Sequence, residues 1–520
     1  MKSKYFLLLA AAGLASMSTS AQETYQDTKL MENELNGTAR YVGMGGAMEA
    51  LGADLSTMQS NPAGIGLFRK SQFAISGGIL SQSGDNAKKD KGLDFKGDAT
   101  NASFDQVGFV WASRTGRNSW LNLGFNYHKS RNFDQILSTS GKLNNASLNK
   151  LSAAKYANGL AEKGSMAWNA VDDSYAKFLA NDKGGMTYYN ATSYAFGQHE
   201  YGYIGEYDFN VSGNINDRVF LGATFGLHDV NYRGNKLYAE NDATGALSDN
   251  YEQLKIDGTG FDVKFGAIFR PIAESPFRIG LYVNTPVFYD LTMRGAYDLT
   301  FYPVNNGSET GNSSDYDYKV YTPWKFGVSL GNTFGNNLAM GITYEYQKYG
   351  AIDNRINDGN TYYDDWTGSY YSDSNSDDAM NNDTELNLKS VHLLKVGLEY
   401  KPIPQMAIRV GYNYMSPQFN DNAYRDGSLQ SPGVGYATSA DYTNWKATNR
   451  FTCGLGFTLD KFFADIAYQY SSTKGDFYPF MSYYPSSKED ETYSNIADAS
   501  KVSVNRNQLL FTIGYRFRWL

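Results

Sequence analysis

Residues 507–519 alternate apolar and polar side chains, and this pattern restricts the fold more than any other feature of the chain. A β-strand places successive side chains on opposite faces, so this segment has one aromatic face and one mostly polar face. In a soluble protein the aromatic face turns inward, whereas in a membrane barrel it faces lipid and the polar face lines the lumen. One face carries Leu509, Phe511, Ile513, Tyr515, Phe517 and Trp519, and the other carries Leu510, Thr512, Gly514, Arg516 and Arg518.

Fourteen stretches after residue 70 show the same alternation and predict fourteen strands. Their second faces carry side chains such as Asn122, Glu345 and Arg409, which are costly in a dry core but natural in a watery lumen. The predicted strands are 71–83, 104–114, 119–129, 201–213, 218–233, 259–270, 277–297, 319–333, 338–349, 389–402, 405–416, 447–459, 462–475 and 507–519.

The connections between these strands alternate strictly between short and long, as periplasmic turns and extracellular loops do in outer-membrane barrels. Six links are short, and seven are long: 84–103, 130–200, 234–258, 298–318, 350–388, 417–446 and 476–506. Apolar side chains at helical spacing predict helix over 146–182. We therefore predict an all-β fold: a 14-stranded antiparallel transmembrane β-barrel with an N-terminal hatch (plug) and a helical extracellular loop.

The N-terminus has the features of a secretory signal. Lys2 and Lys4 precede an apolar run, and small residues end at Ala21. No stretch reaches the ~18 continuous apolar residues of a transmembrane helix. The predicted organisation is signal peptide 1–21, hatch 22–70 and barrel 71–520, located in the cell outer membrane of a Gram-negative bacterium.

Residues 36–70 do not alternate and are rich in glycine and alanine, as a compact plug inside a barrel requires. Pro62 fixes its own φ and biases Asn61 away from the helical region, so the sequence Asn61-Pro62-Ala63-Gly64 predicts a rigid turn before the first strand. The same segment contains Thr38-Ala-Arg-Tyr-Val-Gly-Met-Gly-Gly-Ala47, followed by Ala50, Ala53, Asp54 and Ser56.

In these motifs the segment resembles the hatch of the FadL/TodX (OmpP1) family of outer-membrane transport proteins, in the form found in Bacteroidetes-type bacteria. The resemblance implies passive uptake of long-chain fatty acids or other hydrophobic compounds. It implies capture in an apolar groove among the extracellular loops, transfer past the hatch, and lateral release through a gap at a kinked strand. It places Asn61, Pro62 and Ala63, with Gly64, beside the ligand path. No motif locates the pocket or its carboxylate partner.

Other residues are candidates for single steps of such transport. Leu160, Phe178 and Leu179 of the helical loop offer either a capture surface or packing against the barrel rim. Pro286 and Pro323 interrupt predicted strands, either as a wall gap or as strand ends. Gly124 is the weak point of the third strand, where the family has its gap.

Competing functions predict different residues. A hemin-binding receptor or a metal site needs ligands, and only His128 and His199, which flank the helical loop, are expected to lie near one another. A barrel enzyme needs a nucleophile–base pair, and neither His228 nor His392 lies in such a motif. A diffusion porin or adhesin remains a third alternative. We therefore predict no catalytic residue, no metal and no cofactor.

Composition narrows the partners. The net charge of −8 argues against nucleic acid, and 42 Tyr with 30 Phe at a mean hydropathy of −0.49 suit a barrel with aromatic girdles. The expected partners are a hydrophobic small molecule (fatty acid-like), outer-membrane lipid and lipopolysaccharide, and the barrel-assembly machinery. That machinery reads a terminal aromatic residue, which here is Trp519, one residue before the end.

Overall fold

Twenty strands form one antiparallel sheet in the computed structural model, which describes residues 23–32, 34–88, 98–162, 165–304, 307–312, 315–365, 369–484 and 492–517. The predicted signal peptide 1–21 and Trp519 lie outside these ranges. The strands are β1 (Ser71–Ser83), β2 (Thr100–Arg114), β3 (Trp120–Asn132), β4 (Gln135–Ala146), β5 (Ala191–Ile215), β6 (Val219–Asn241), β7 (Ala246–Phe269), β8 (Arg278–Asn284), β9 (Phe288–Phe301), β10 (Gly307–Asn312), β11 (Tyr316–Tyr321), β12 (Lys325–Phe334), β13 (Leu338–Lys348), β14 (Asp353–Asp364), β15 (Ser369–Ser376), β16 (Ser390–Ile403), β17 (Met406–Met415), β18 (Tyr442–Leu459), β19 (Phe462–Tyr478) and β20 (Ser500–Phe517).

Fourteen wall strands close this sheet into a barrel, which confirms the predicted fold class. β20 pairs with β1 from Ser71 opposite Phe517 to Ser83 opposite Asn505, so the wall has no free edge at the closure. β8 and β9 together form the seventh wall strand, and β11 and β12 form the eighth. β4, β10, β14 and β15 belong to the long-loop end, where β14 also extends the wall beside β11.

The alternation separates the two faces of the wall as predicted. In β20, Phe511 and Ile513 are 46% and 61% exposed on the outside, whereas Leu510 and Thr512 are buried on the lumen side. Aromatic rings continue across neighbouring strands of the outer surface, with Phe125 lying 6.0 Å from Phe109 and 5.3 Å from Phe209 between ring centroids. This apolar outer band is the surface that an outer-membrane barrel turns to lipid.

The long-loop end is more ordered than the sequence indicates. β5, β6 and β7 extend about ten residues beyond their predicted ends, and the predicted acidic loop 350–388 folds into β14, β15 and α5. The helical loop contains α3 and α4. Helices are α1 (Thr24–Met31), α2 (Ala39–Gly43), α3 (Leu148–Ala157), α4 (Ala170–Leu179), α5 (Asp378–Asn387) and α6 (Pro432–Tyr436), with 3-10 turns at Leu55–Gln59, Pro62–Leu67, Asp85–Ala87 and Tyr349–Ala351. Among the described residues, no helix is long and apolar enough to cross a membrane.

Residues 34–70, here called the lumen segment, lie inside the barrel. Their backbone carbonyls accept hydrogen bonds from lumen-facing side chains of the wall, which replace the ladder bonds that a strand would make. Asn122 Nδ2 donates to the carbonyls of Ile65 (2.7 Å) and Phe68 (3.1 Å), and Asn413 Nδ2 donates to that of Gly45 (3.2 Å). The expectation of a watery lumen is therefore wrong where the lumen segment fills the barrel. There the polar faces of the wall strands are buried against that segment.

Candidate functional site

The Asn61–Gly64 turn lies against β5, β6 and β7. Asn61 has an extended backbone (φ −107°, ψ 95°), and its side chain caps the following 3-10 turn by accepting from the Ala63 amide at 3.2 Å. Its Nδ2 donates to the Glu49 carbonyl at 3.1 Å, and Ser212 Oγ on β5 donates to the Pro62 carbonyl at 2.7 Å. The four residues of this motif are buried, so they fix the lumen segment to the wall.

Wall glycines, which the sequence analysis did not single out, allow this close approach. A Cβ on Gly266 would clash with Asn61 Oδ1, and a Cβ on Gly341 would clash with the Ala47 carbonyl. Both glycines occupy lumen-facing positions of their strands. Glycine at the lumen-facing parity of a strand is the signal that would have located the contact.

Buried charges hold the middle of the lumen segment. Lys395 Nζ on β16 lies 2.8 Å from Glu49 Oε1, and Thr343 Oγ1 on β13 donates to Glu49 Oε2 at 2.7 Å. Thr38 Oγ1 donates to Asp54 at 2.8 Å within the segment. Burial raises the pKa of Asp54, an effect that Arg40 opposes.

The wall is interrupted at one level in two neighbouring strands, at residues 285–287 and 322–324, here called the wall break. Pro286 and Pro323 each lack an N–H to donate. Lys264 lies opposite Asn284 but Phe261 lies opposite Phe288, so three residues of the seventh wall strand face two of β7. This is a bulge of one residue.

Threonine side chains replace the missing ladder bonds at the wall break. Val287 N donates to Thr322 Oγ1 at 2.8 Å, and Val263 N donates to Thr285 Oγ1 at 3.0 Å. Thr322 N still donates to the Val287 carbonyl at 3.1 Å. Two side-chain bonds thus stand where backbone ladder bonds would otherwise continue, while the ladder is intact on either side of the wall break.

Cavities lie on both sides of the wall break. The lumen-side cavity, of about 120 Å³, is lined by Thr285, Val287, Thr322 and Pro323 together with the α1 end and Gln59. On the lipid side, a groove of about 540 Å³ lies next to the wall break, between the wall break and the short turns. The groove is mostly apolar, and its floor contains Gly266 and Gly327. It is lined by Phe265, Gly266, Ala267, Leu281, Tyr282, Val283, Phe326, Gly327, Val328, Tyr344 and Tyr346.

Gly124 does not mark a gap. The ladder is continuous on both sides of it, with Val110 opposite on β2 and Asn210 opposite on β5. A Cβ on Gly124 would clash with Met58 Cε of the lumen segment. The expected weak point of the third strand is therefore not found at Gly124. This glycine instead makes room for a side chain inside the barrel.

The helical loop residues contribute unequally to its surface. Leu179 is 2% exposed and belongs to the apolar cluster that joins α3 and α4 to the wall extensions. Phe178 stacks on Phe301 with centroids 5.7 Å apart, and Leu160 is half-buried at the same cluster. Tyr156 and Met166 of the same loop are exposed.

The histidines are not arranged as expected. His128 lies opposite Glu206, and His199 lies seven residues further along the same β5 strand, a separation of about 23 Å at 3.3 Å per residue. The side chains of His128 and His199 also lie on opposite faces of the wall, because His199 and Glu206 are seven positions apart on one strand and side chains alternate between faces. The expected proximity of His128 and His199 is wrong. His128 instead lies near His228, since both flank Glu206.

Comparison with solved structures shows chains with a similar fold. The structure is similar to that of a Pseudomonas aeruginosa FadL homologue (TM-score 0.50, 12% identity, 94% of this chain and 99% of that chain) and to the Ralstonia pickettii toluene transporter TbuX with the same values. The deltaS2 mutant of the TodX monoaromatic hydrocarbon channel matches at TM-score 0.50 and 10% identity, over 94% of this chain and 100% of that chain. No family model and no curated protein sequence matches the chain.

The architecture defines the class: an outer-membrane β-barrel of fourteen strands whose N-terminal segment lies in its lumen. Within that class, the fold is that of the FadL/TodX family, as the hatch motif predicted. At identities of 10–12% the likeness establishes the fold.

Proposed function

We propose that this protein is a non-enzymatic outer-membrane transporter for the passive uptake of hydrophobic compounds of the long-chain fatty acid type. The observation that carries the proposal is the wall break, which has a cavity on its lumen side and an apolar groove on its lipid side. An apolar solute gains by leaving water, so a route that ends in lipid needs no energy source. The likeness to transporters of hydrophobic compounds supports this reading.

The proposed route has three parts. Solute is captured at the helical loop, passes between α1 and the lumen segment, and leaves sideways at Pro286 and Pro323. We propose that the chain is organised as signal peptide 1–21, hatch 22–70 with Asn61–Gly64 as its anchor, and barrel 71–520. In this proposal the hatch closes the lumen to ions and hydrophilic solutes while the wall break opens to lipid.

Capture is proposed at Leu160 and Phe178, which are half-buried, together with the exposed Tyr156 and Met166 of the same loop. Leu179 is buried in the apolar cluster and holds α4 in place there, so its proposed contribution to capture is indirect. Lipopolysaccharide around the outer rim and the assembly machinery at the C-terminal strand complete the proposed partners.

Uptake assays test this function. A Gram-negative host without its own fatty-acid channel is given the gene or an empty vector, and uptake of a radiolabelled long-chain fatty acid and of toluene is measured separately. We expect faster uptake of at least one compound and, in planar bilayers, no open-pore conductance. Unchanged uptake of both compounds together with a steady open pore would favour a diffusion porin.

A further inference from the structure

A row of three buried side chains crosses the lumen side of β3, β5 and β6. His128 lies opposite Glu206, and Glu206 lies opposite His228, so the three side chains project side by side from adjacent strands. Their side chains are at most 5% exposed. The backbone ladder therefore fixes an imidazole–carboxylate–imidazole arrangement before any ligand binds.

The inner nitrogen of each imidazole points towards the same carboxylate oxygen. His128 Nε2 lies 3.3 Å from Glu206 Oε2, and His228 Nδ1 lies 4.0 Å from it. No described group makes a hydrogen bond to either nitrogen, although both are buried. Buried polar atoms are nearly always bonded, and a cation between these two nitrogens and the oxygen that they face would give each nitrogen a partner.

The outer nitrogen of each imidazole contacts a second carboxylate. His128 Nδ1 lies 3.4 Å from Asp208 Oδ2, and His228 Nε2 lies 3.2 Å from Asp262 Oδ1. A histidine that binds a metal usually donates its other ring N–H to a carboxylate, which fixes the tautomer and the ring orientation. His228 has that arrangement with Asp262, whereas His128 Nδ1 lies 3.4 Å from both Asp208 Oδ2 and Asn126 Nδ2.

The charges of the cluster balance either with one divalent cation or with two imidazolium ions. Lys264 bridges Glu206 Oε1, Asp208 Oδ1 (3.2 Å) and Asp262 Oδ1 (2.9 Å). With neutral imidazoles, three carboxylates and one ammonium leave a net charge of −2 in a buried place. Uncompensated buried charge is costly, and one divalent cation removes it.

We propose that His128 Nε2, His228 Nδ1 and Glu206 Oε2 bind one divalent transition-metal ion, with Zn²⁺ as the probe. Two imidazoles and one carboxylate are ligands that this class of ion accepts, and a site with three protein ligands keeps one position open. Asp262 orients His228, and Asp208 lies beside His128 Nδ1. His128, Glu206 and His228 line the lumen-side cavity at the wall break, so the open position faces that cavity. The inference does not rest on the proposed transport.

Metal binding to the full-length detergent-solubilised protein tests the site. The protein is stripped with EDTA and dialysed against Zn²⁺, bound metal is measured by atomic emission, and Co²⁺ is used in parallel for its visible spectrum. We expect one ion per chain, a four-coordinate Co²⁺ spectrum, and affinity lowered more than tenfold in His128→Gln and His228→Gln. His199→Gln and His392→Gln, which alter outward-facing histidines, are the matched controls and keep wild-type affinity.

The wild-type protein alone gives a decisive result if a variant fails to assemble, which is checked by heat-modifiable mobility on a gel. A wild-type barrel that binds no stoichiometric Zn²⁺ overturns the proposal and leaves the two histidines as imidazolium partners of the carboxylates. A bound ion that persists in both His128→Gln and His228→Gln also overturns it, because the ion then lies elsewhere.

Discussion

At the scale of single residues, the absence of a side chain determines how closely the lumen segment approaches the wall. Asn61 reaches β7 because Gly266 has no Cβ, and Ala47 reaches β13 because Gly341 has none. Lumen-facing Asn and Ser side chains then bond to the carbonyls that the close approach brings within reach. The close fit of the lumen segment against the wall therefore depends on the small size of a few wall residues.

Gly266→Val is expected to displace the Asn61–Gly64 turn, because its side chain needs the space of Asn61 Oδ1. Overpacking of this kind typically costs about 1–3 kcal/mol. Planar-bilayer recordings should show ion conductance that the wild-type barrel lacks. Ala267→Val, at the next position on the lipid-facing side of β7, is the control and should stay closed. A closed Gly266→Val barrel would mean that this turn does not seal the lumen.

At the scale of elements, Glu240 at the far end of β6 joins the helical loop to the wall. Its carboxylate accepts from the Leu148 amide at the start of α3 (2.7 Å) and from Tyr238 OH (2.8 Å). It lies thirteen residues past Leu227 of the lipid-facing band, beyond the membrane-spanning part of the strand. Burial raises the pKa of Glu240 to about 7.

This shift predicts a pH-dependent attachment of α3. The folded pKa lies above that of the unfolded chain, so the native state holds the proton more tightly, and stability falls as pH rises from about 4.5 to 7. The protection factors of the α3 amides, which correct for the intrinsic pH dependence of hydrogen exchange, should be larger at pH 5 than at pH 8. Glu240→Gln should reduce this difference; a remainder is expected from Glu252, whose pKa burial raises to about 8. An equal pH difference in Glu240→Gln and wild type would contradict the assignment.

The surface of the helical loop makes a kinetic prediction. Leu160→Asn removes a half-buried apolar side chain from the proposed capture surface, so we expect a higher half-saturation concentration for uptake with little change in the maximal rate. Leu386→Asn, on the exposed face of α5, is the matched control because Leu386 is 76% exposed outside that surface. Equal effects of the two substitutions would place capture elsewhere.

Sequence alternation was sufficient to predict fourteen wall strands, because a wall between lipid and a polar interior imposes a period of two on every strand. The sequence did not predict that β5 begins at residue 191 and β7 at residue 246. Beyond the membrane both faces of a strand are free to be polar, so the alternation that marks a wall strand is lost there. Pro286 and Pro323 were visible as interruptions. Their position at one level depends on register between strands that are distant in sequence, which one chain does not reveal. The His128–Glu206–His228 row was hidden for the same reason.

At the scale of the whole molecule, we propose two tasks for one barrel. The lumen segment fills the interior and is tied to the wall by buried charges and side-chain bonds, while the wall break lies between a lumen-side cavity and a neighbouring lipid-side groove. The central claim is that hydrophobic solute leaves through the wall break.

A reversible disulfide across the wall break tests that claim most directly. Val287→Cys and Thr322→Cys are introduced with Cys453→Ala, because the two positions face each other across neighbouring strands at a spacing that suits a disulfide. The control pair Ile279→Cys and Leu330→Cys joins the same two wall strands where their ladder is intact and lies outside the residues that line the lipid-side groove. We predict that oxidation abolishes uptake only in the 287–322 pair and that a reductant restores it. Full uptake through the oxidised 287–322 pair would contradict the account.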